Sequence, residues 1–319
     1  MSVTVVVPTF NRDAFVRDVV SALQAQTHAD FQAVLVDDGS SDDTAEIAAS
    51  VTRGDPRFTV LSTPNRGPAS ARNRGCAEVA TDWIAFTDDD CLPQAGWLAS
   101  LLETAASASA DVVQGRTLPD PTIDRAALPW YSRSQHIGAW SGRFQTCNLL
   151  VRSACFARAG GFDESFPPDG FGEDTDLGLR LVRAGATTAF AVDAVVHHRI
   201  LPMTYLEFIR RRYRWAKVVR LVAVNPDSRA VFPYPYVAYR AHLVFWAALP
   251  LVVWAVLSRR WLVVAGGVLA FGIVRARGSK DKGRSAVIRT AWGATELPGL
   301  AGAAVGFLVE SVRHRRLLL

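Results

Sequence analysis

Four short runs of β-branched and aromatic residues near the N-terminus constrain the fold of this chain most strongly. The runs are 3–7, 31–36, 58–61 and 83–86. Between the first two, residues 13–24 carry apolar side chains at helical spacing. Strands that alternate with helices in this way predict an α/β fold, in which a mostly parallel sheet is covered by helices on both faces.

Polar residues follow these runs and predict where a ligand binds. Thr9, Asp38, Arg66 and the acidic triplet 88–90 lie just beyond successive strands or in the loops after them. Because ligands of open parallel sheets bind beyond the carboxyl ends of the strands, we expect a site at this edge of the sheet.

Three adjacent carboxylates at 88–90 are the first candidate for chemistry. Their mutual repulsion is relieved by a cation or by solvent, and hard oxygen ligands suit Mg²⁺ or Mn²⁺ bridged to substrate phosphates. A solvated acidic loop is the alternative. If the chain is still extended there, Asp88 and Asp90 point the same way and Asp89 points elsewhere.

Two further segments carry polar groups of functional type. Glu173 and Asp174 precede a helical pattern, so they are either acids that favour the helix N-terminus or a general base on a rigid element. His197 and His198 follow an apolar run, which is typical of a packed strand end, and a third metal ligand is the other interpretation.

The composition changes after about residue 200. Residues 205–224 have the pattern of a basic amphipathic helix suited to a membrane surface, and apolar runs follow at 243–257, 261–274 and 297–309. Each run is shorter than the roughly 20 residues of a simple membrane span. We expect two short spans or re-entrant segments, with a soluble helical subdomain as the alternative.

Charge distribution indicates a location and excludes a partner class. The formal net charge is +5, with acidic residues concentrated early and basic clusters at 275–284 and 313–316. Basic residues that flank apolar runs are typical of cytoplasmic segments next to a membrane. Since they do not alternate with stacking aromatics on a soluble face, we expect no nucleic-acid partner. We therefore predict a cell-membrane location with the N-terminal domain on the cytoplasmic side.

Six stretches occur in an order known from one protein family. They are 5–12, 36–42, 65–75, 86–90, 160–164 and 172–177. Together they resemble the family-2 glycosyltransferases, which have the GT-A fold, and they cover about residues 1–200. The resemblance implies a GT-A domain at 1–203, with a Rossmann-like nucleotide-binding half and an acceptor half. We assign 204–235 to the amphipathic helix and a linker, and 236–319 to membrane-associated helices.

The resemblance also implies roles for individual residues. In the family pattern Asp38 meets the base of the nucleotide. The residues expected beside the nucleotide sugar are Pro8, Thr9, Arg12, Asp38, Arg66, Arg72, Asp88 and Asp89.

The metal and the reaction follow from the same resemblance. Asp90 is expected to hold Mg²⁺ or Mn²⁺, with Asp88 sharing the metal or holding the ribose, and His197 occupies the place of a metal ligand in some relatives. Asp174 matches the catalytic base, and Glu173 lies beside it in the acceptor pocket. These roles imply an inverting, metal-dependent transfer from a nucleoside-diphosphate sugar to an acceptor hydroxyl.

The acceptor and the rival functions stay open at this stage. A lipid-linked glycan or cell-envelope polysaccharide precursor fits the apolar C-terminal region, and polyprenyl-phosphate sugar synthesis is the nearest alternative. A sugar-1-phosphate nucleotidyltransferase or a non-catalytic membrane scaffold fits less well. Residues 211–215 are similar to the Gln-x-x-Arg-Trp signature of processive members, with Arg211 in place of Gln, and a basic face on lipid head groups is the other interpretation.

Overall fold

The computed structural model divides the chain into two compact units. It describes residues 1–124, 127–129, 131–132, 134–168, 172–232, 240–278 and 296–316. The sheet unit comprises Met1–Asp124 with Arg133–Leu201, and the helical unit comprises Arg125–Ser132 with Pro202–Leu319. Residues 233–235 of the predicted linker and 279–284 of the predicted basic segment lie outside the described residues.

Eight strands form one sheet among the described residues of the sheet unit. They are β1 (Val3–Thr9), β2 (Phe31–Asp37), β3 (Phe58–Ser62), β4 (Trp83–Thr87), β5 (Cys91–Pro93), β6 (Val112–Pro119), β7 (Asn148–Arg152) and β8 (Thr188–His198). Their order across the sheet is β3-β2-β1-β4-β7-β6-β8-β5. The four strands expected from the sequence are confirmed: each begins at the predicted residue and ends one or two residues later than predicted.

Six of the eight strands run in one direction, in agreement with the predicted mostly parallel sheet, and two are reversed. The pairs β3-β2, β2-β1 and β1-β4 are parallel, as is β6-β8. The strand β7 runs antiparallel to both β4 and β6, and β5 runs antiparallel to β8. The sheet is therefore mixed: a Rossmann-like half is joined through the reversed strand β7 to a second half.

Helices cover both faces of the sheet, as the alternating pattern predicts. They are α1 (Asp13–Gln24), α2 (Thr44–Thr52), α3 (Pro68–Cys76), α4 (Trp97–Ser107), α5 (Ser153–Ala159) and α6 (Glu173–Arg183). Val5 and Val7 belong to the same core cluster as the apolar face of α1, whereas Val6 belongs to a cluster with Ala69 of α3 and Leu177 of α6. Successive side chains of a strand point to opposite faces, which explains this division.

The described part of the helical unit contains five α-helices. They are α7 (Tyr205–Arg214), α8 (Val219–Val224), α9 (Arg240–Leu257), α10 (Trp261–Gly278) and α11 (Leu297–His314). A capping box starts α7: the Thr204 hydroxyl accepts the Glu207 N–H, and the Glu207 carboxylate accepts the Thr204 N–H. None of these described helices combines the length and the apolar character needed to cross a membrane, so the predicted short spans are not confirmed.

Candidate active site

Strands β1 and β2 end side by side and bring four predicted residues together. Pro8 and Thr9 close β1, and the backbone N–H of Asp38 donates to the Thr9 carbonyl at 2.9 Å. The buried Asp38 carboxylate accepts the backbone N–H groups of Arg66 at 3.0 Å and of Gly67 at 2.8 Å. Asp38 thus fixes the loop after β3, a structural role that sequence reasoning missed, and it leaves the Arg66 side chain exposed.

Gly67 is required for this arrangement. Its φ is +93°, in the region that favours glycine, and a Cβ there would lie 2.6 Å from the Cα of Pro168. The loop after β3 can therefore turn back to Asp38 and still admit the segment that precedes α6.

The three aspartates after β4 diverge instead of sharing one direction. Asp89 and Asp90 lie in a turn between β4 and β5, so the extended geometry assumed from the sequence is absent there. Each carboxylate contacts a different basic group: Asp88 with Arg72, Asp89 with Arg12 and Asp90 with His198.

Asp89 is held against β1 and α1. Its Oδ1 is 3.3 Å from Nε of Arg12, whose backbone N–H donates to the Thr44 hydroxyl. Burial and the charge of Asp90 raise the pKa of Asp89 to about 7, although Arg12 opposes this shift. A cation or a further donor group at this point would therefore relieve electrostatic repulsion.

Arg72 links the aspartate turn to the start of α6. Its side chain is 5% exposed; Nη2 is 2.8 Å from Asp88 Oδ1, and Nη1 is 3.4 Å from Glu173 Oε1. Burial disfavours the charged guanidinium, but the two carboxylates more than offset this and raise the pKa of Arg72. Its guanidinium also lies over the ring of Phe162. The structure thus places Arg72 between two predicted site carboxylates.

Asp174 lies in the first turn of α6, next to Glu173. Gly172, with φ +102°, turns the chain into the helix, and the backbone N–H of Thr175 donates to Asp174 Oδ1 at 2.7 Å. Burial, followed by the charge of Glu173, raises the pKa of Asp174 to about 7. Burial also raises the pKa of Glu173, although Arg72 opposes it. A carboxylate that titrates near neutral pH is suited to remove a proton from a hydroxyl.

His198 meets Asp90 with one nitrogen prepared for a cation. Its Nδ1 lies 2.7 Å from the carbonyl oxygen of Arg199, and because a carbonyl only accepts, Nδ1 carries the proton. In the neutral ring Nε2 then presents a lone pair, and this atom lies 3.5 Å from Asp90 Oδ1. This atom is fully buried and has no hydrogen-bond partner among the described residues. The His198 ring, which is oriented by the hydrogen bond at Nδ1, and the nearby Asp90 carboxylate fit Mn²⁺ or Mg²⁺.

His197 does not join this cluster. It precedes His198 in β8, so its side chain points to the other face, and its Nε2 lies 2.9 Å from the amide nitrogen of Gln94. The groups within mutual ligand distance are instead Asp90, Cys91 and His198, all buried. The predicted ligand His197 thus lies outside this cluster, and the short strand β5, which pairs Cys91 with His198, has no sequence signal of its own.

A family model and several curated relatives match this chain. The model of glycosyl transferase family 2 matches residues 4–166. A pre-mycofactocin glycosyltransferase from Mycobacterium tuberculosis is 29% identical over 248 residues, which are 72% of this chain and 49% of that protein. The succinoglycan biosynthesis protein ExoA from Rhizobium meliloti is 26% identical over 301 residues, 87% of this chain and 86% of that protein. The chain thus spans about half the length of the first relative.

Solved structures share the fold. A mannosyltransferase from Pyrobaculum calidifontis in complex with GDP-Man and Mn²⁺ superposes with a TM-score of 0.67 at 20% identity, covering 97% of this chain and 87% of that one. TarS residues 1–349 from S. aureus in complex with UDP-GlcNAc gives 0.59 at 17% identity, covering 99% and 93%. These matches support the expected GT-A type of α/β fold.

Proposed function

The chain belongs to glycosyl transferase family 2, and we propose that it is an inverting glycosyltransferase acting on a nucleoside-diphosphate sugar. The main support for this proposal is that Arg72 contacts two carboxylates, those of Asp88 and Glu173. Asp88 marks the donor side at the end of β4, and Glu173 marks the base-bearing start of α6. The buried guanidinium of Arg72 thus contacts both the proposed donor side and the proposed acceptor side of the site.

Asp174 acts as the general base in this proposal. Its carboxyl, with a pKa near 7, takes the proton of the acceptor hydroxyl as that oxygen attacks the anomeric carbon. In addition to burial, the charge of Glu173 raises the pKa of Asp174, and the charge of Arg72 lowers it. A single displacement from the face opposite the leaving group inverts the anomeric configuration, so a product that retains it would contradict the scheme.

The donor end holds the diphosphate and the base of the nucleotide. We propose that Asp90 and His198 hold Mn²⁺ or Mg²⁺, with Asp88 sharing the metal or the ribose. When bound, the divalent cation supplies positive charge that neutralises the departing diphosphate. The residues proposed to line the nucleotide are Pro8, Thr9, Arg12, Asp38, Arg66 and Asp89. The GDP-Man and UDP-GlcNAc named for the structural neighbours support a nucleotide sugar as donor.

The acceptor proposed here is a glycan or lipid-linked precursor of a cell-envelope polysaccharide. The succinoglycan biosynthesis relative supports a polysaccharide product. We also propose that the chain attaches to the cytoplasmic face of the cell membrane. The support is the exposed apolar and basic surface of the helical unit, where Leu206, Tyr213 and Val312 face solvent.

The test is donor turnover by the full chain. The purified protein receives Mn²⁺, a panel of UDP-, dTDP- and GDP-sugars, and a membrane lipid extract as acceptor, and the released nucleoside diphosphate is measured. We expect turnover of one donor, with a rate that falls about tenfold per pH unit below pH 7, because Asp174 becomes protonated.

Two variants separate binding from chemistry. Asp174→Asn should abolish turnover and leave Mn²⁺-dependent nucleotide binding intact, whereas Asp90→Asn should weaken both. Nucleotide binding without turnover of any donor would contradict the transferase and favour a scaffold. If Asp174→Asn turned over the donor at the wild-type rate, the assignment of Asp174 as the general base would be refuted.

A further inference from the structure

Helices α7 and α11 of the helical unit form a close-packed parallel pair. A Cβ at Gly299 would lie 2.7 Å from the ring of Phe208, and one at Gly306 would lie 2.8 Å from the Tyr213 carbonyl. The contacts advance in the same direction along both helices, and small residues let the two backbones approach closely. Since this contact has no room for side chains at the two glycines, the pair forms one continuous surface, called the platform below.

A groove of about 540 Å³ runs along this platform. It is lined by Glu207, Ile209, Arg210, Tyr213, Arg214 and Gly302. Arg210 and Arg214 are one turn apart on the exposed side of α7 and project from the same face. Apolar contact surface from Ile209 and Gly302 lies beside them. Together with Glu207, whose carboxylate is engaged by the capping box, these groups give the groove one net positive charge.

The outer face of α11 carries an apolar stripe beside the groove. The stripe consists of Val305, Leu308, Val309 and Val312, of which Val312 is 72% exposed. Val305 and Val309 follow Gly302 by three and seven positions, so they continue the same side of the helix. Arg313, Arg315 and Arg316 follow directly. Apolar residues bordered by arginines are the pattern of a helix that lies in a membrane interface.

We propose that this groove binds the phosphate head group of an anionic membrane lipid. The two arginines contact the phosphate, as guanidinium groups do with two parallel hydrogen bonds, and the stripe of α11 enters the acyl boundary. Tyr213 and Arg214, which belong to the segment 211–215 that resembles a processive signature, thus line the proposed lipid site. The inference deepens the proposed membrane attachment and requires no membrane-spanning helix.

The test is partitioning of the full chain onto vesicles of phosphatidylcholine, with and without phosphatidylglycerol, at low salt. A variant carrying Arg210→Gln and Arg214→Gln should bind the anionic vesicles about 30-fold more weakly, since each arginine near a surface contributes roughly a factor of five. Its binding to neutral vesicles should fall by much less, because the phosphate of phosphatidylcholine is neutralised by the choline group of the same lipid. The matched control carries Arg17→Gln and Arg53→Gln, which remove the same charge from exposed positions of the sheet unit.

A second variant tests the apolar stripe. Val309→Asp at an exposed position should weaken binding to both kinds of vesicle, because it places a charge in the acyl boundary. If the α7 double variant binds like its control, the groove is not the lipid site, although membrane attachment stands. If the wild type binds neither vesicle, the attachment fails too. Mn²⁺-dependent nucleotide binding, which needs no lipid acceptor, reports on the proposed transfer site separately.

Discussion

Replacing Asp174 with asparagine should stabilise the protein above pH 7 while it abolishes activity. The pKa of this carboxyl is raised from its ordinary value of 3.8 to about 7, first by burial and then by Glu173. Between about pH 4 and 7 the folded state keeps a proton that the unfolded state has released. The free energy of unfolding therefore falls as pH rises through this window, and the loss is complete above pH 7.

The magnitude follows from the two pKa values. A tenfold change in proton affinity is worth about 1.4 kcal/mol, so the shift corresponds to at most about 4 kcal/mol. Asp174 keeps partial contact with solvent and shares the repulsion with Glu173, which reduces the expected gain of Asp174→Asn at pH 8 to about 2 kcal/mol.

Urea unfolding of metal-free protein at pH 5 and pH 8 measures this difference. The wild type should lose more stability than Asp174→Asn between the two pH values, so the variant should unfold at a higher urea concentration at pH 8. Asp193→Asn, at an exposed position of β8, controls for the loss of a negative charge. Equal pH dependence of the wild type and Asp174→Asn would refute the assignment of a raised pKa to this buried carboxyl.

Three further predictions follow from the packing of the site and its support. His198→Gln should raise the Mn²⁺ concentration for half-maximal activity about 10- to 100-fold, whereas His197→Gln should change it little; the reverse order in a metal titration would contradict the metal geometry. Arg72→Met should lower the free energy of unfolding by about 3–5 kcal/mol, because it leaves buried carboxylates without their cation, and unchanged urea unfolding would refute the linkage. Gly178→Ala should cost at least about 1–3 kcal/mol, since a Cβ there would lie 2.0 Å from an aromatic ring, whereas Gly96→Ala, with open space around it, should be nearly neutral in the same measurement.

The sequence supports prediction of the parallel half of the fold and of the residues at its edge. Strands β1 to β4 have strong local signals, and parallel pairing then brings Thr9, Asp38 and Asp88 to one side without further information. The helix start at Asp174 is likewise local, because acidic residues at 173, 174 and 176 lead directly into an apolar helical pattern.

The remaining features depend on contacts between distant parts of the chain. The reversed strand β7 pairs with β4 across more than sixty positions, and no local pattern encodes its direction. The choice between His197 and His198 depends on the register of β8 against the short strand β5. Whether Arg72 contacts phosphate or carboxylate depends on where α6 packs. Each outcome is set by tertiary packing and not by local propensity.

The contact between Arg72 and Glu173 also has a consequence for the order in which the molecule is completed during synthesis. Strands β1 to β4 and Arg72 have emerged by residue 87, so their parallel pairings can form from that point on. Glu173 and His198 emerge about a hundred residues later, and contacts of such separation form slowly. A nascent chain that stops before residue 173 thus contains most of the proposed donor edge but neither Asp174 nor His198. The complete cluster, with Glu173 and His198, can therefore assemble only after the whole sheet has been synthesised.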